Sequence, residues 1–104
     1  MAGTAGGAVG DVLGDGEIRR HLAELPDWRH FANALHKEFR FRGFRASIAF
    51  VDRIAEQATA TGVHPDIEIH DSRVIVSIAT PGAGGVTVND IDLARAIERV
   101  KEPD

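Results

Sequence analysis

The spacing of hydrophobic residues predicts a helix near the start of the folded part of this chain. One side of it would be formed by Ile18, Leu22 and Leu25, which recur at helical intervals. Asp15 precedes them as a candidate cap. Pro26 is expected to end the helix, because proline has no amide hydrogen to donate.

A longer helix is predicted after Gly43, where apolar residues again recur every three or four positions. Gly62 should end it, since glycine readily adopts the left-handed geometry that often stops a helix. We expect the apolar stripe of this helix to face the core. Its members are Phe44, Ile48, Val51, Ile54, Ala55 and Ala58.

Alternation of polar and apolar residues predicts strands on both sides of that helix. Residues 34–41 and 64–70 both alternate, and residues 73–79 are rich in β-branched side chains, which favours a central strand. In the first of these strands we expect Leu35, Phe39 and Phe41 to point inwards and His36, Glu38 and Arg40 to point outwards. The turn between the last two strands falls at Asp71 and Ser72.

A final helix is predicted after Thr87, which forms a capping box with Asp90 in place of the usual Glu. An extended segment after Trp28 supplies a further strand. Short turns between successive strands favour antiparallel pairing, and each amphipathic helix needs a partner for its apolar side. The predicted fold is α+β and two-layer, a four-stranded antiparallel sheet packed on one face by helices in the order α-β-β-α-β-β-α.

Length and composition limit the domain organisation and the classes of function. The 104 residues suffice for one domain, and we expect a flexible Gly/Ala-rich arm over residues 1–16 followed by a single domain over 17–104. The arm lacks the continuous apolar stretch of a secretory signal, so a cytoplasmic location without membrane contact is expected. The absence of cysteine excludes a disulfide framework, and a net charge of -4 argues against direct nucleic-acid binding.

Several motifs occur in the order and spacing of one protein family. They are LHKEFRF at 35–41, FVDRIAE at 50–56, HPDI at 64–67, GGVT at 84–87 and DIDLA at 90–94. In these motifs the chain resembles the pterin-4a-carbinolamine dehydratases. The resemblance implies a lyase that eliminates water from 4a-hydroxytetrahydropterins without a cofactor, using histidines to donate and accept protons. Imidazole suits that role because it titrates near neutral pH.

The chain departs from the family pattern at the active-site positions. The family has a His-His-Pro triplet, a carboxylate four residues before it, and a Thr-His pair at the end of the following strand. Here the triplet reads Val63-His64-Pro65, and the final pair reads Thr80-Pro81. Because Thr59, Val63 and Pro81 replace the expected Glu, His and His, we expect the dehydratase activity to be weak or lost.

His64 is the candidate catalytic residue, with a purely structural role in the turn before Pro65 as the alternative. The resemblance also marks a set of candidate substrate-binding residues. They are Val63, Pro65, Ile67, Ala79, Thr80 and Pro81. His70 is a candidate replacement for a missing histidine, although a solvated strand face is the simpler interpretation.

Alternation places His64, Asp66, Glu68 and His70 on one side of a strand, where their side chains have the chemistry of metal ligands. Successive side chains on one strand face lie about 6–7 Å apart, so these groups do not converge on one ion. We therefore predict no metal site.

The alternative function is a non-catalytic binding or assembly module, in which the same fold provides a surface for a partner. Dehydratase-like proteins that lack the histidines act as RuBisCO assembly factors, and others act as dimerisation cofactors of transcription factors. The expected partners are thus a pterin small molecule or a protein client. An open sheet edge, together with the family resemblance, also predicts a homodimer or homotetramer.

Overall fold

The computed structural model describes residues 12–80 and 82–101, and this part contains three helices and four strands. The helices are α1 (Asp15–Leu22), α2 (Phe44–Thr61) and α3 (Val88–Val100). The strands are β1 (Arg29–Phe31), β2 (Ala34–Arg40), β3 (Asp66–His70) and β4 (Arg73–Ile78). The order of these elements is the predicted one.

The four strands form one antiparallel sheet in the order β1-β2-β4-β3. In the ladder between β2 and β4, Leu35 lies opposite Ile78 and Phe39 lies opposite Val74. All four side chains are buried in the core that the sheet shares with the helices. The predicted α+β fold with helices on one face of the sheet is therefore confirmed.

The buried side of α2 agrees with the prediction in part: Ile54 and Ala58 are buried and Val51 packs against the core, as predicted, but other members of the stripe do not face the core. Phe50, Ile54 and Ala58 are at most 4% exposed, whereas Phe44 is 55% exposed and Ile48 is 36% exposed. Ala55 is exposed as well, so the expectation that the Phe44, Ile48 and Ala55 stripe faces the core was wrong.

Two apolar stripes run side by side along α2, and the aromatic packing of the core selects between them. The ring of Phe50 lies 4.7 Å from that of Phe39 and 4.9 Å from that of Phe41, measured between centroids. Polar Ser47 shares the buried side because its hydroxyl donates a hydrogen bond to the carbonyl of Asp71 at 2.8 Å. The sheet and α3 cover one side of α2, which leaves the second apolar stripe outside.

Helix α1 begins slightly earlier than the pattern predicts. Gly14 is the residue at its N-cap, and the Gly14 amide donates to Oε1 of Glu17 at 3.0 Å. Asp15 is thus the first residue of the helix rather than its cap. The chain leaves α1 after Leu22 and continues in turns that bury Leu25, so the helix ends before Pro26.

The segment before α1 contacts the loop that leads into α3. Val12 forms an antiparallel bridge with Thr87, and the Leu13 amide donates to the carbonyl of Val86 at 2.8 Å. Residues 1–11 of the predicted arm lie outside the described residues, and the division into an arm and a domain stays a prediction. Among the described helices, none is long and apolar enough to cross a membrane.

Candidate functional site

The turn into β3 and the exit from β4 meet at one end of the sheet. Asp66 lies opposite Ser77 in the antiparallel ladder between these strands. Residues 63–65 enter β3 and residues 79–80 leave β4 at this end of the ladder. The two segments that carry most of the predicted site residues thus begin from the same end of one antiparallel ladder.

His64 presents its imidazole to solvent at this end of the sheet. Its side chain is exposed and makes no hydrogen bond or ion pair with any residue that the structure describes. The turn before it is held by other groups: Gly62 has a φ of 81°, and the hydroxyl of Thr61 accepts the Val63 amide at 3.3 Å. The imidazole is thus available to a ligand, because no hydrogen bond of the turn occupies it.

Val63 and Thr59 are the residues at which the sequence resemblance predicts imidazole and carboxylate. Val63 is 6% exposed and belongs to the hydrophobic core. Thr59 is exposed, and its hydroxyl donates to the carbonyl of Ala55 one turn earlier in α2 at 2.9 Å. Neither side chain carries a group that could act as a general acid or base near neutral pH.

Pro65, Ile67 and Ala79 are half-buried, and Ile67 packs against the core. Ile67 lies opposite buried Val76, on the face of β3 that turns towards the core. Pro81 lies outside the described residues, so its predicted contact with substrate stays a prediction.

Thr80 lies at the end of β4 and is bound to the start of α3. Its hydroxyl donates to Oδ1 of Asp90 at 2.8 Å and lies 3.1 Å from the hydroxyl of Thr87. The second oxygen of Asp90, Oδ2, accepts the Thr87 amide at 2.9 Å, and Thr87 Oγ1 accepts the Asp90 amide at 3.4 Å. The predicted capping box is confirmed, and Thr80 uses its hydroxyl to anchor the wall of the site.

Asp90 joins Thr80 to the start of α3, a contact that the sequence pattern does not predict. The spacing of Thr87 and Asp90 identified the cap, but it did not reveal the contact with Thr80, ten residues before the carboxylate. The side chain of Asp90 is fully buried. Its oxygens have partners in Thr80 and the Thr87 backbone, as a buried carboxylate requires.

His70 occupies a different setting from His64. It lies on β3 opposite Arg73, and its Nε2 is 3.1 Å from Oε1 of Glu68 on the same strand. That His70 takes the place of a missing active-site histidine stays a prediction. Within residues 12–80 and 82–101, no group of three or more His, Asp and Glu side chains is placed to share a metal ion.

The amino-acid sequence is similar to those of one protein family. The model of a family described as pterin 4 alpha carbinolamine dehydratase matches residues 11–100. A relative from Thermosynechococcus vestitus, assigned by name to these dehydratases, is 41% identical over 92 residues, which cover 88% of this chain and 97% of the relative. A relative from Chloroflexus aggregans with the same assignment is 44% identical over 89 residues, covering 85% and 95%.

Two solved structures share the fold. A transcriptional coactivator/pterin dehydratase from Brucella melitensis superposes with a TM-score of 0.83 at 28% identity, over 88% of this chain and 100% of that chain. A pterin dehydratase-like protein identified as a RuBisCO assembly factor in the α-carboxysome superposes with a TM-score of 0.62 at 22% identity, over 75% and 93%. The second similarity shows the fold alone.

Proposed function

The chain belongs to the pterin-4a-carbinolamine dehydratase family, and on that basis we propose that it binds a 4a-hydroxytetrahydropterin at the end of the sheet where residues 63–65 enter β3 and residues 79–80 leave β4. The observation that carries the proposal is the imidazole of His64, which is exposed and makes no hydrogen bond with any described residue. Half-buried Pro65, Ile67 and Ala79 would pack against the pterin ring, and Thr80 would fix the wall beside it.

Dehydration breaks the bond between C4a and its hydroxyl group, and N5 loses its proton as the C4a–N5 double bond forms. One proton must reach the departing hydroxyl, which leaves as water, and one must be taken from N5. An imidazole can donate the first proton and accept the second. In this chain His64 would perform both transfers without the groups that Thr59, Val63 and Pro81 replace, so we propose a slow dehydratase.

Kinetics of water elimination test this activity directly. A freshly generated 4a-hydroxytetrahydropterin would be followed with wild type, His64→Gln and His70→Gln. We expect wild type to exceed the uncatalysed rate, His64→Gln to lose that excess, and His70→Gln to keep it, because His70 is bound to Glu68. A wild-type rate no higher than the uncatalysed rate would contradict the activity, and a loss confined to His70→Gln would move the acid/base role to that residue.

A non-catalytic binding or assembly module is the second candidate. Two observations favour it: Val63 is buried, and the hydroxyls of Thr59 and Thr80 donate hydrogen bonds within the protein. None of these three side chains therefore offers a ligand a group for proton transfer. Stable co-purification of a protein partner, together with no pterin binding by calorimetry, would support this function. Tight pterin binding without a partner would contradict it.

A restoration variant separates a lost activity from a wrongly located site. Thr59→Glu, Val63→His and Pro81→His together should produce or sharply raise dehydratase activity if these positions surround the pterin. A triple variant that is folded by circular dichroism and stays inactive would contradict the location.

Under either function we propose a cytoplasmic homodimer or homotetramer. The exposed apolar residues of α2, Phe44 and Ile48, would be covered by the same helix of a second copy. In a two-fold antiparallel pair, Arg45 of one helix would approach Glu56 of the other, and the symmetry would form this contact twice.

A further inference from the structure

The segment that precedes α1 lies against the loop that follows Thr80. We propose that Val12 and Leu13 are positioning residues, which hold the loop between β4 and α3 and thereby set the affinity of the site at the end of the sheet. The inference rests on the proposed function for the place where the ligand binds. The contact between the two segments is independent of it.

The contact consists of a backbone bridge and an apolar anchor. The Leu13 amide donates to the carbonyl of Val86 at 2.8 Å, and Val12 pairs with Thr87 in antiparallel register. Val86 is completely buried, and the side chain of Leu13 packs against the core. The bridge therefore joins the segment before α1 to the buried end of the loop.

The contact requires a residue without a side chain at Gly85. A Cβ atom built on Gly85 would stand 2.6 Å from Cγ1 of Val12, so the valine side chain fills the space that a larger residue would need. Gly82 and Gly84 differ from it: both have positive φ, 83° and 84°, and a Cβ on either would meet no described atom within 4 Å. The loop thus has a packed position at Gly85 and unpacked, conformationally free positions before it.

The loop is fixed at both of its ends, and one end belongs to the site. Thr80 is bound to Asp90, while Thr87 is bound to Asp90 and bridged to Val12. The glycines between these anchors give the loop freedom that a ligand beside Thr80 would have to restrict on binding. Because Val12 and Leu13 restrict it in advance, their contact lowers the entropy lost on binding.

Exchanging the two side chains across the contact tests this role in the full chain. Gly85→Val introduces a clash with Val12, while Val12→Gly/Gly85→Val restores one valine at the same place. The backbone of Gly85 lies outside the left-handed region, so a valine there meets no strain of its own. Gly16→Ala is the matched control, because a Cβ at that helical position meets no described atom within 4 Å.

Two measurements apply to each variant: calorimetric affinity for dihydrobiopterin, used as the probe, and hydrogen exchange of the Leu13 amide, both well below the melting temperature. We expect Gly85→Val to bind about tenfold more weakly and to exchange Leu13 faster, and we expect the double variant to recover to within about threefold of wild type. Gly16→Ala should match wild type in both.

The outcomes separate this inference from the proposed function. Faster exchange at Leu13 with unchanged affinity would overturn the positioning role and leave the proposed function standing. Unchanged exchange in Gly85→Val would overturn the contact itself. A wild-type protein that fails to bind dihydrobiopterin would overturn the proposed function, and the positioning role with it.

Discussion

Lys37 and Glu98 form an ion pair inside the protein, with Nζ of the lysine 2.6 Å from Oε2 of the glutamate. The lysine side chain is 6% exposed and also donates to the carbonyl of Pro26 at 3.0 Å. The indole N–H of Trp28 donates to the same carboxylate oxygen at 2.8 Å. This cluster ties β2 to α3 and to the turn before β1.

Removing Lys37 should destabilise the protein markedly. Lys37→Met leaves the partly exposed carboxylate of Glu98 without its closest cation, although Lys101 and the Trp28 N–H remain, so the loss should be about 1–3 kcal/mol. The free energy of unfolding, measured by urea denaturation, would show the loss. Arg40→Met is the matched control, because Arg40 is 74% exposed where it pairs with Glu38, and it should cost less than about 1 kcal/mol. Equal losses in the two variants would contradict a special role for the buried pair.

The stability that Glu98 contributes should depend on pH. Burial alone would raise the pKa of Glu98, but the hydrogen bonds from Lys37 and Trp28 and the charges of Lys37 and Lys101 lower its pKa below the ordinary value of 4.5. A carboxyl with a lowered folded-state pKa stabilises the protein above the unfolded-state pKa. That contribution is lost as the pH falls through the folded-state pKa.

Unfolding free energies of wild type and Glu98→Gln, compared from pH 7 down to pH 3, check this dependence. We expect the advantage of wild type to be complete near pH 7 and to shrink below about pH 4.5. An advantage that grows as the pH falls would mean that the carboxyl is not held ionised by its neighbours.

Replacing Asp90 should weaken both the start of α3 and the wall of the site. Asp90→Ala removes the acceptor for the Thr87 amide and for the Thr80 hydroxyl, which together should cost about 2 kcal/mol. Thermal and urea denaturation would measure the cost. Asp92→Ala, on the exposed side of the same helix, should change stability by less than about 0.5 kcal/mol. A similar loss in both variants would point to a general charge effect instead.

The exposed stripe of α2 should control assembly. Ile48→Glu places a charge among the apolar residues that we propose to lie between two copies, so it should shift the protein towards monomer in sedimentation velocity. Ala60→Glu adds the same charge on a different side of α2 and should leave the assembly unchanged. A wild-type protein that sediments as a monomer would contradict the proposed oligomer.

Strand positions could be predicted from the sequence because a period of two leaves few alternatives. Leu35 and Phe39 point inwards and Glu38 and Arg40 outwards, as the alternation requires. The same rule places Lys37 inwards, yet its burial depends on Glu98, which lies 61 residues away in the sequence. The α2 stripe failed for a related reason: two apolar stripes fit the helical period, and packing against Phe39 chose the one with Phe50.

The positions of the segments that carry the candidate site residues could be predicted from the sequence, but their contacts could not. The His-Pro turn and the end of the next strand are joined by the register of β3 and β4, which short antiparallel strands make simple to infer. The anchoring of Thr80 by Asp90 and the contact of Val12 with Gly85 join residues distant in sequence or lacking any periodic pattern. Such contacts depend on packing that local patterns do not encode.

The burial of Val63 attaches a stability cost to placing an imidazole at that position. Valine in this place contributes to the core, so a return to histidine would insert a polar ring into an apolar setting fitted to a smaller side chain. A single substitution would then have to gain a proton-transfer group and surrender packing at the same time. The triple variant that carries Val63→His should therefore gain dehydratase activity at a cost in stability, and its free energy of unfolding belongs beside its rate.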